Sequence, residues 1–216
     1  MVSHILILVC LFLTSVAFAE PPNLSLFKKE LQIYHDSGLY EQELTRVLNK
    51  ARLHIFQQLK LYKHKANKLA IILDVDETSI TNYQQMHQRN FAEHHDLIHK
   101  AILAANAPPI HATLSLYNEA ILHGIKIFFI SGRPQSTLYA TKVNLWRAGF
   151  KNWAGLYLRP EHYKKNSIIA FKAKTRAAIT KLGYRIIASI GDQESDLKGG
   201  YVDLGFKLPN PFYHIP

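Results

Sequence analysis

Beyond residue 20 the apolar residues follow two spacings, and the switches between them mark the elements. From Leu26 to Lys65 they recur at roughly helical intervals (Tyr40, Leu44, Val47, Leu48, Ala51, Ile55, Leu59), which predicts one or two helices packed on a core. At Leu69-Ala70-Ile71-Ile72-Leu73 the run becomes continuous, the pattern of a strand buried on both faces of a parallel sheet. Strand-like runs return at 125–130, 155–158, 185–190 and 205–208. Helical patterns lie between them at 110–123, 135–148 and 170–182, stopping at Gly124, Gly149 and Gly183. Residues 83–107 are polar and His-rich and predict a short helical insertion. Strand and helix alternating through short links predict an α/β fold on a parallel sheet, preceded by a helical segment at 20–67.

One apolar run fits neither spacing. Residues 5–13 are unbroken hydrophobics, followed by Ala17-Phe18-Ala19, which predicts a secretory signal peptide over 1–19 cleaved before Glu20. The run is short for a membrane span, although with only the amino terminus and His4 ahead of it an uncleaved anchor is the competing reading. A periplasmic or secreted protein of one domain, 20–216, without a stable membrane span follows. The single cysteine, Cys10, lies in this run, so the mature chain carries no thiol or disulfide, as suits an oxidising compartment.

At 216 residues, 48% hydrophobic and 19% charged, the composition is that of one globular domain with room for a small cap. The formal net charge of +10 resides wholly outside the signal and attracts anions. Nucleic acid, a membrane surface or small phosphorylated molecules all satisfy it. The basic residues are spread, with a modest cluster at Lys60, Lys63, Lys65 and Lys68, and no nucleic-acid-binding motif accompanies them.

The chemistry sits where predicted strands end: Asp74 and Asp76 after the first, Ser131-Gly132-Arg133 after the second, Gly191-Asp192 with Asp196 after the fourth. Ligands of open parallel sheets bind at the carboxyl ends of strands, so these groups should converge. Carboxylates two apart face one side while the chain stays extended. Phosphate-ester cleavage uses such a pair, Asp74 as nucleophile and Asp76 as the acid that protonates the leaving oxygen and the base for the incoming water. Two anions repel, so a cation must intervene. Asp74, Asp192, the backbone carbonyl of Asp76 and, directly or through water, Asp196 offer hard oxygen ligands for Mg²⁺. Ser131 and the Gly132 N–H suit the phosphate oxygens. A lysine should complete the charge balance, and Lys172 and Lys174 are equal candidates on position alone. Thr78 can hold the loop through a local hydrogen bond, and Arg133 either braces the loop or touches substrate. His95 and His99, four apart beside Glu93, His94 and Asp96, could share a helix face as zinc ligands do. No third ligand stands at a diagnostic spacing, which favours a polar helix face.

Asp74-Val75-Asp76-Glu77-Thr78, Ile130-Ser131-Gly132-Arg133-Pro134, Phe171-Lys172-Ala173 and Gly191-Asp192-Gln193-Glu194-Ser195-Asp196-Leu197 resemble, in order, the four motifs of the haloacid dehalogenase (HAD) superfamily. Pro108-Pro109-Ile110, Leu116-Tyr117-Asn118, Ala148-Gly149-Phe150, Leu156-Tyr157-Leu158-Arg159 and Phe206-Lys207-Leu208-Pro209-Asn210-Pro211 extend the similarity to the subfamily IIIB acid phosphatases, over most of 68–216. That subfamily joins plant acid phosphatases and vegetative storage proteins with bacterial class B-type enzymes. The resemblance implies a three-layer Rossmann-like domain and a magnesium-dependent acid phosphatase of broad specificity, nucleoside monophosphates included, acting through an aspartyl-phosphate. It also picks Lys172, the lysine after an aromatic residue, and makes 83–107 a cap over the active site, with Tyr83 and His87 as candidates for its substrate rim. Glu194 departs from the pattern, standing where plant members carry Trp. Small phosphorylated substrates are the implied partners, without specific nucleic-acid binding, and a homo-oligomer is compatible with all of this. Some plant relatives have lost the nucleophile, so a non-catalytic storage or binding protein is the alternative; a phosphotransferase differs only in using an alcohol as final acceptor.

Overall fold

The computed structural model describes residues 21–215 apart from 22, 164 and 166, and not the side chain of Lys63; the signal-peptide segment 1–19 lies outside the described residues. Helices α1 (Leu24–Asp36) and α2 (Leu39–Leu61) come first, Asn23 capping α1 by accepting the N–H groups of Ser25 and Leu26. Then follow β1 (Leu69–Leu73), α3 (Tyr83–Gln88), α4 (His95–Ala104), α5 (His111–Leu122), β2 (Lys126–Pro134), α6 (Leu138–Arg147), β3 (Gly155–Arg159), α7 (Ile169–Lys181), β4 (Arg185–Gly191) and β5 (Leu204–Lys207). The three helices expected to stop at glycine do so, with φ of 80°, 98° and 88° at Gly124, Gly149 and Gly183.

The five strands are parallel in the order β3-β2-β1-β4-β5, so β1 is central. All five of its residues are buried, as a continuous apolar run requires. Leu69, Ile71 and Leu73 pack with Leu44, Leu48 and Ile55 of α2 and Leu116 of α5, while Ala70 and Ile72 face the opposite layer with Ile179 of α7. The chain runs outward from β1 through β2 to β3, then α7 carries it back past β1 to β4. That reversal places a crevice at the carboxyl end of β1. Two details depart from the sequence expectation. β2 runs on to Pro134 instead of stopping at 130, because Pro134 still pairs with Arg159 across an irregularity after Ser131. The insertion at 83–107 is two helices, joined through Asn90 and Phe91 at positive φ, and α4 buries none of its residues. No helix of the described residues is long and apolar enough to cross a membrane.

Candidate active site

After Leu73 the chain remains in the sheet for one more residue, Asp74 N–H donating to Ile190 O at 3.0 Å. It then turns: the N–H groups of Ser79 and Ile80 both reach Val75 O, Ser79 Oγ donates to Asp74 O at 2.6 Å, and Glu77 lies in the left-handed region at φ 48°. A non-glycine residue there carries backbone strain, offset by the bond from Asn82 N–H to the Glu77 carboxylate. The turn ends the extended geometry, so Asp74 and Asp76 line one cavity of about 410 Å³ but engage different partners.

Asp74 faces inward. Lys172, in the first turn of α7, donates from Nζ to Asp74 Oδ1 at 2.8 Å and also to Asp196 Oδ1, with all three side chains buried. Lys174 is exposed. Burial pushes the Asp74 carboxyl well above its usual range and Lys172 pulls the other way. For Lys172 burial opposes the charge, yet the two carboxylates outweigh it and raise its pKa above the ordinary lysine value.

Asp192 directly follows β4 and sits in a full set of bonds. Thr78 Oγ1 donates to its Oδ1 at 3.1 Å, and Gln193 Nε2 and Asn210 Nδ2 donate to its Oδ2 at 2.7 and 2.6 Å. Thr78 therefore ties the first motif to the fourth, a longer reach than the local bond expected of it. Burial, with the Asp196 charge, raises Asp192 to about 6 against the pull of the Asn210 and Gln193 bonds. Asp196 accepts Gln193 N–H at 2.9 Å on Oδ2 and packs over Gly191 so closely that a Cβ there would fall on its carboxylate. Arg176, wholly buried, donates to the carbonyls of Asp196, Lys198 and Gly200 and fixes this loop.

Asp76, a quarter exposed, pairs with Arg133, which donates from Nε at 2.9 Å and from Nη2 at 2.6 Å, while Asn82 Nδ2 adds a bond at 2.8 Å. Burial alone would raise its pKa, but the guanidinium outweighs it and holds Asp76 below the usual carboxylate range. Arg133 is buried, also donates to Thr141 Oγ1 at 3.2 Å, and lines the cavity, a position compatible with both of its expected roles. Ser131 is buried and accepts Arg133 N–H at 3.2 Å; Gly132 is the member of the pair that lines the cavity.

Neither rim candidate, Tyr83 nor His87, is among the residues that line the cavity. Tyr83 turns away from the cavity into a buried stack with His35, centroids 3.3 Å apart, and His87 is exposed on the same face of α3. Residues 83 and 87 are one helical turn apart, and the face that meets the cavity carries Gln85, Met86 and Arg89 instead. Among the histidines of residues 87–99, His95 reaches the cavity lining, 3.9 Å from Glu93, with both side chains exposed. Asn82, Gln193, Asn210 and Tyr213 carry no mark in the residues themselves; Gln193 and Asn210 fall within stretches that carry the resemblance, 191–197 and 206–211, which assigns them no role.

The donor set fits a hard divalent cation. Asp74, Asp192 and Asp196 each present an oxygen within 4.8 Å of the others, all three buried, the only such group of potential ligands among the described residues. Three carboxylates against the single Lys172 ammonium leave two negative charges in low dielectric, which one divalent cation balances.

Comparison with known proteins agrees with this geometry. Residues 21–216 match the family described as HAD superfamily, subfamily IIIB (Acid phosphatase). The chain is 35% identical over 149 residues to a Stem 31 kDa glycoprotein of Glycine max, covering 67% of this chain and 59% of that protein. It is 36% identical over 148 residues to Acid phosphatase 1 of Solanum lycopersicum, covering 67% and 58%. The chain thus spans about three-fifths of the length of these relatives. The class C acid phosphatase from Bacillus anthracis shares the fold, with a TM-score of 0.70 over 88% of this chain and 86% of that one at 21% identity. With the family matched over nearly the whole chain and its four motifs gathered at the ends of β1, β2 and β4 and the start of α7, this chain belongs to the HAD superfamily subfamily IIIB, the acid phosphatases.

Proposed function

We propose that this protein is an exported, magnesium-dependent acid phosphatase that hydrolyses phosphate monoesters through an aspartyl-phosphate at Asp74. The observation that carries the reading is the buried junction in which Asp74, Asp192 and Asp196 each present an oxygen within 4.8 Å of the others, with Lys172 bonded to Asp74 and Asp196, and Asp74, Asp192 and Lys172 at the floor of a cavity. A carboxylate so placed is a nucleophile held still beside compensating charge.

An Asp74 carboxylate oxygen attacks phosphorus, the ester P–O bond breaks, and the departing oxygen takes a proton from Asp76. Water then attacks the phosphorus of the aspartyl-phosphate, gives its proton to Asp76 and releases phosphate. Asp76 paired with Arg133 is in the ionised form that serves the second step; to act as an acid in the first, the pair must loosen. Arg133 and Gly132 line the cavity beside it, and an incoming phosphate competes for the same guanidinium. The Gly132 N–H, Ser131 and Lys172 receive the transferring group. Mg²⁺ would be held by Asp74, Asp192 and the Asp76 carbonyl, with Asp196 binding directly or through water, and would supply positive charge against the phosphate oxygens.

Above this floor the wall carries an apolar stretch from Met86, Ile98, Ala101, Ile102, Ile168 and Phe212, with Gln85, Arg89, Glu93 and His95 beside it, and the apolar stretch favours esters of apolar or planar groups, aryl phosphates and nucleoside monophosphates, over sugar phosphates. The net charge of +10 steers such anions inward, and the apolar segment 5–13 with its Ala17-Phe18-Ala19 site supports export.

The test is phosphate release from p-nitrophenyl phosphate, nucleoside monophosphates and glucose 6-phosphate, with and without chelator. Wild type should turn over the first two with Mg²⁺ and lose activity in chelator, and Asp74→Asn should lose about 10⁴-fold or more. Activity surviving Asp74→Asn overturns the mechanism; a folded wild type that binds Mg²⁺ yet turns over no ester favours the storage alternative.

A further inference from the structure

Beyond β5 the chain does not leave the sheet at once. Leu208 N–H donates to Gly191 O at 2.8 Å and the Leu208 side chain is wholly buried, so residues 209–215 are led across the carboxyl ends of the strands. Phe212, Tyr213 and Ile215 line the cavity. Within this segment Asn210 accepts the N–H groups of Phe212 and Tyr213 on Oδ1, at 2.9 and 3.4 Å, in an Asx-type turn. That turn fixes which end of the amide points where, and the nitrogen donates to Asp192 Oδ2 at 2.6 Å. Gln193 repeats the tie, donating to the same oxygen while its Oε1 accepts Ile215 N–H at 3.1 Å. The Phe212 ring anchors the turn among Tyr40, Tyr83 and Phe91, with centroids 5.1, 5.3 and 6.1 Å away.

A second line of bonds runs to the other acid. The Tyr213 hydroxyl donates to Glu77 Oε2 at 2.9 Å, Glu77 Oε1 accepts Asn82 N–H at 2.5 Å, and Asn82 Nδ2 donates to Asp76 Oδ1 at 2.8 Å. Glu77 is buried at the left-handed turn between Asp76 and Thr78, so whatever holds its carboxylate also holds that turn.

We propose that residues 209–215 position two of the four aspartates of the site: Asn210 orients Asp192 as a metal ligand, and Tyr213, through Glu77 and Asn82, orients Asp76. This rests on the phosphatase reading above. A carboxylate has about four lone-pair sites, and with Oδ1 held by Thr78 and Oδ2 by two amides Asp192 cannot rotate away from Asp74. Neither Asn210 nor Tyr213 touches the reacting atoms. Both are positioning residues.

Two substitutions separate this from a structural contribution. Asn210→Ser keeps an oxygen that can close the same kind of turn but is too short to reach Asp192, and Tyr213→Phe removes only the hydroxyl. Mg²⁺ binding is measured by isothermal titration calorimetry, and p-nitrophenyl phosphate turnover at saturating Mg²⁺. Asn210→Ser should raise the Mg²⁺ Kd about tenfold with kcat within about threefold of wild type once saturated. Tyr213→Phe should leave the Mg²⁺ Kd within about twofold and lower kcat about tenfold with little change in KM. If both variants melt lower yet keep Kd and kcat within about twofold of wild type, the segment is only structural and the proposal is overturned. Asp74→Asn measured alongside keeps the two claims apart: a wild type without turnover defeats the phosphatase reading, while the calorimetry still decides Asn210.

Discussion

Asp74, Asp192 and Lys172 at the floor of the cavity are almost wholly buried and bonded to residues far away in sequence, whereas Ile98, Ala101 and Ile102 in its wall belong to a helix that buries nothing. The floor is made by strand ends, which the sheet fixes to one another, and its charges are held by partners up to 114 residues distant, as between Thr78 and Asp192. The α4 side of the wall belongs to the insertion and buries none of its own residues. A site divided in this way can keep its chemistry while the wall changes its substrate, because the two draw on different sources of rigidity. The contrast makes an ordered set of demands: change at the floor should affect turnover and stability together, and change in the wall should affect recognition alone.

Lys172→Met is the severest way to press the floor. It removes the ammonium between Asp74 and Asp196 and leaves buried carboxylates uncompensated. Turnover should fall about 10³-fold, since a donor to the transferring phosphate is lost with the charge. In chelator, the variant should also unfold more easily by about 3–5 kcal/mol at neutral pH, the usual result of breaking a buried pair from one side. The sign with pH is definite. Burial raises the folded Asp74 pKa above the ordinary aspartate value of about 4, so folding favours its protonated form and the lost stability should return as pH falls toward that value. Thermal melts of the variant at pH 7 and pH 4.5 read this directly; a melting point that does not recover relative to wild type in acid would contradict the electrostatic account of the floor.

Arg133 stands at the border of the two regions, buried like the floor but facing the cavity. Arg133→Met frees Asp76 from the guanidinium that holds its pKa down, and burial then drives that pKa upward. The basic limb of kcat/KM, above which Asp76 has lost the proton that the departing oxygen needs, should move to higher pH, with a fall of about 10²-fold at the wild-type optimum because the guanidinium facing the cavity is gone. An unmoved limb would mean that the pair shapes the loop without tuning the acid.

Much of the floor was legible because its residues sit where physics marks them. A five-residue apolar run followed by Asp74 and Asp76 names a strand and its carboxyl end at once, and the same holds for Asp192 after β4. Lys172 and Lys174 were not separable in this way, since both lie in the first turns of α7 and only the packing decides which turns inward; the resemblance chose the one that is buried. Arg133, Arg176 and Asn210 were harder still. Each works through a partner 57, 20 and 18 residues away, at Asp76, Asp196 and Asp192, and a polar residue in a loop carries no mark of such a partner. The choice of Tyr83 and His87 for the rim shows a further limit. α3 is six residues long, too short for a periodic pattern to say which side faces the cavity.

The wall gives the smallest effect and the cleanest division. Ile98 and Ile102 are one turn apart on α4, partly exposed, and both line the cavity. Ile98→Gln or Ile102→Gln exchanges part of an apolar surface for an amide that stays wet in the free enzyme and must be desolvated when an aryl group lies against it. Partial burial of an isoleucine is worth about 1 kcal/mol, so the KM for p-nitrophenyl phosphate should rise about fivefold while kcat stays within about twofold. The inhibition constant of inorganic phosphate should not move, because in the proposed mechanism phosphate is held by Gly132, Lys172 and Arg133, away from α4. Melting temperature should stay within about 2 °C, since the helix buries no side chain whose loss could be felt. A parallel rise in the KM of the ester and the inhibition constant of phosphate would mean that α4 shapes the floor after all, and the separation between chemistry and recognition in this molecule would be lost.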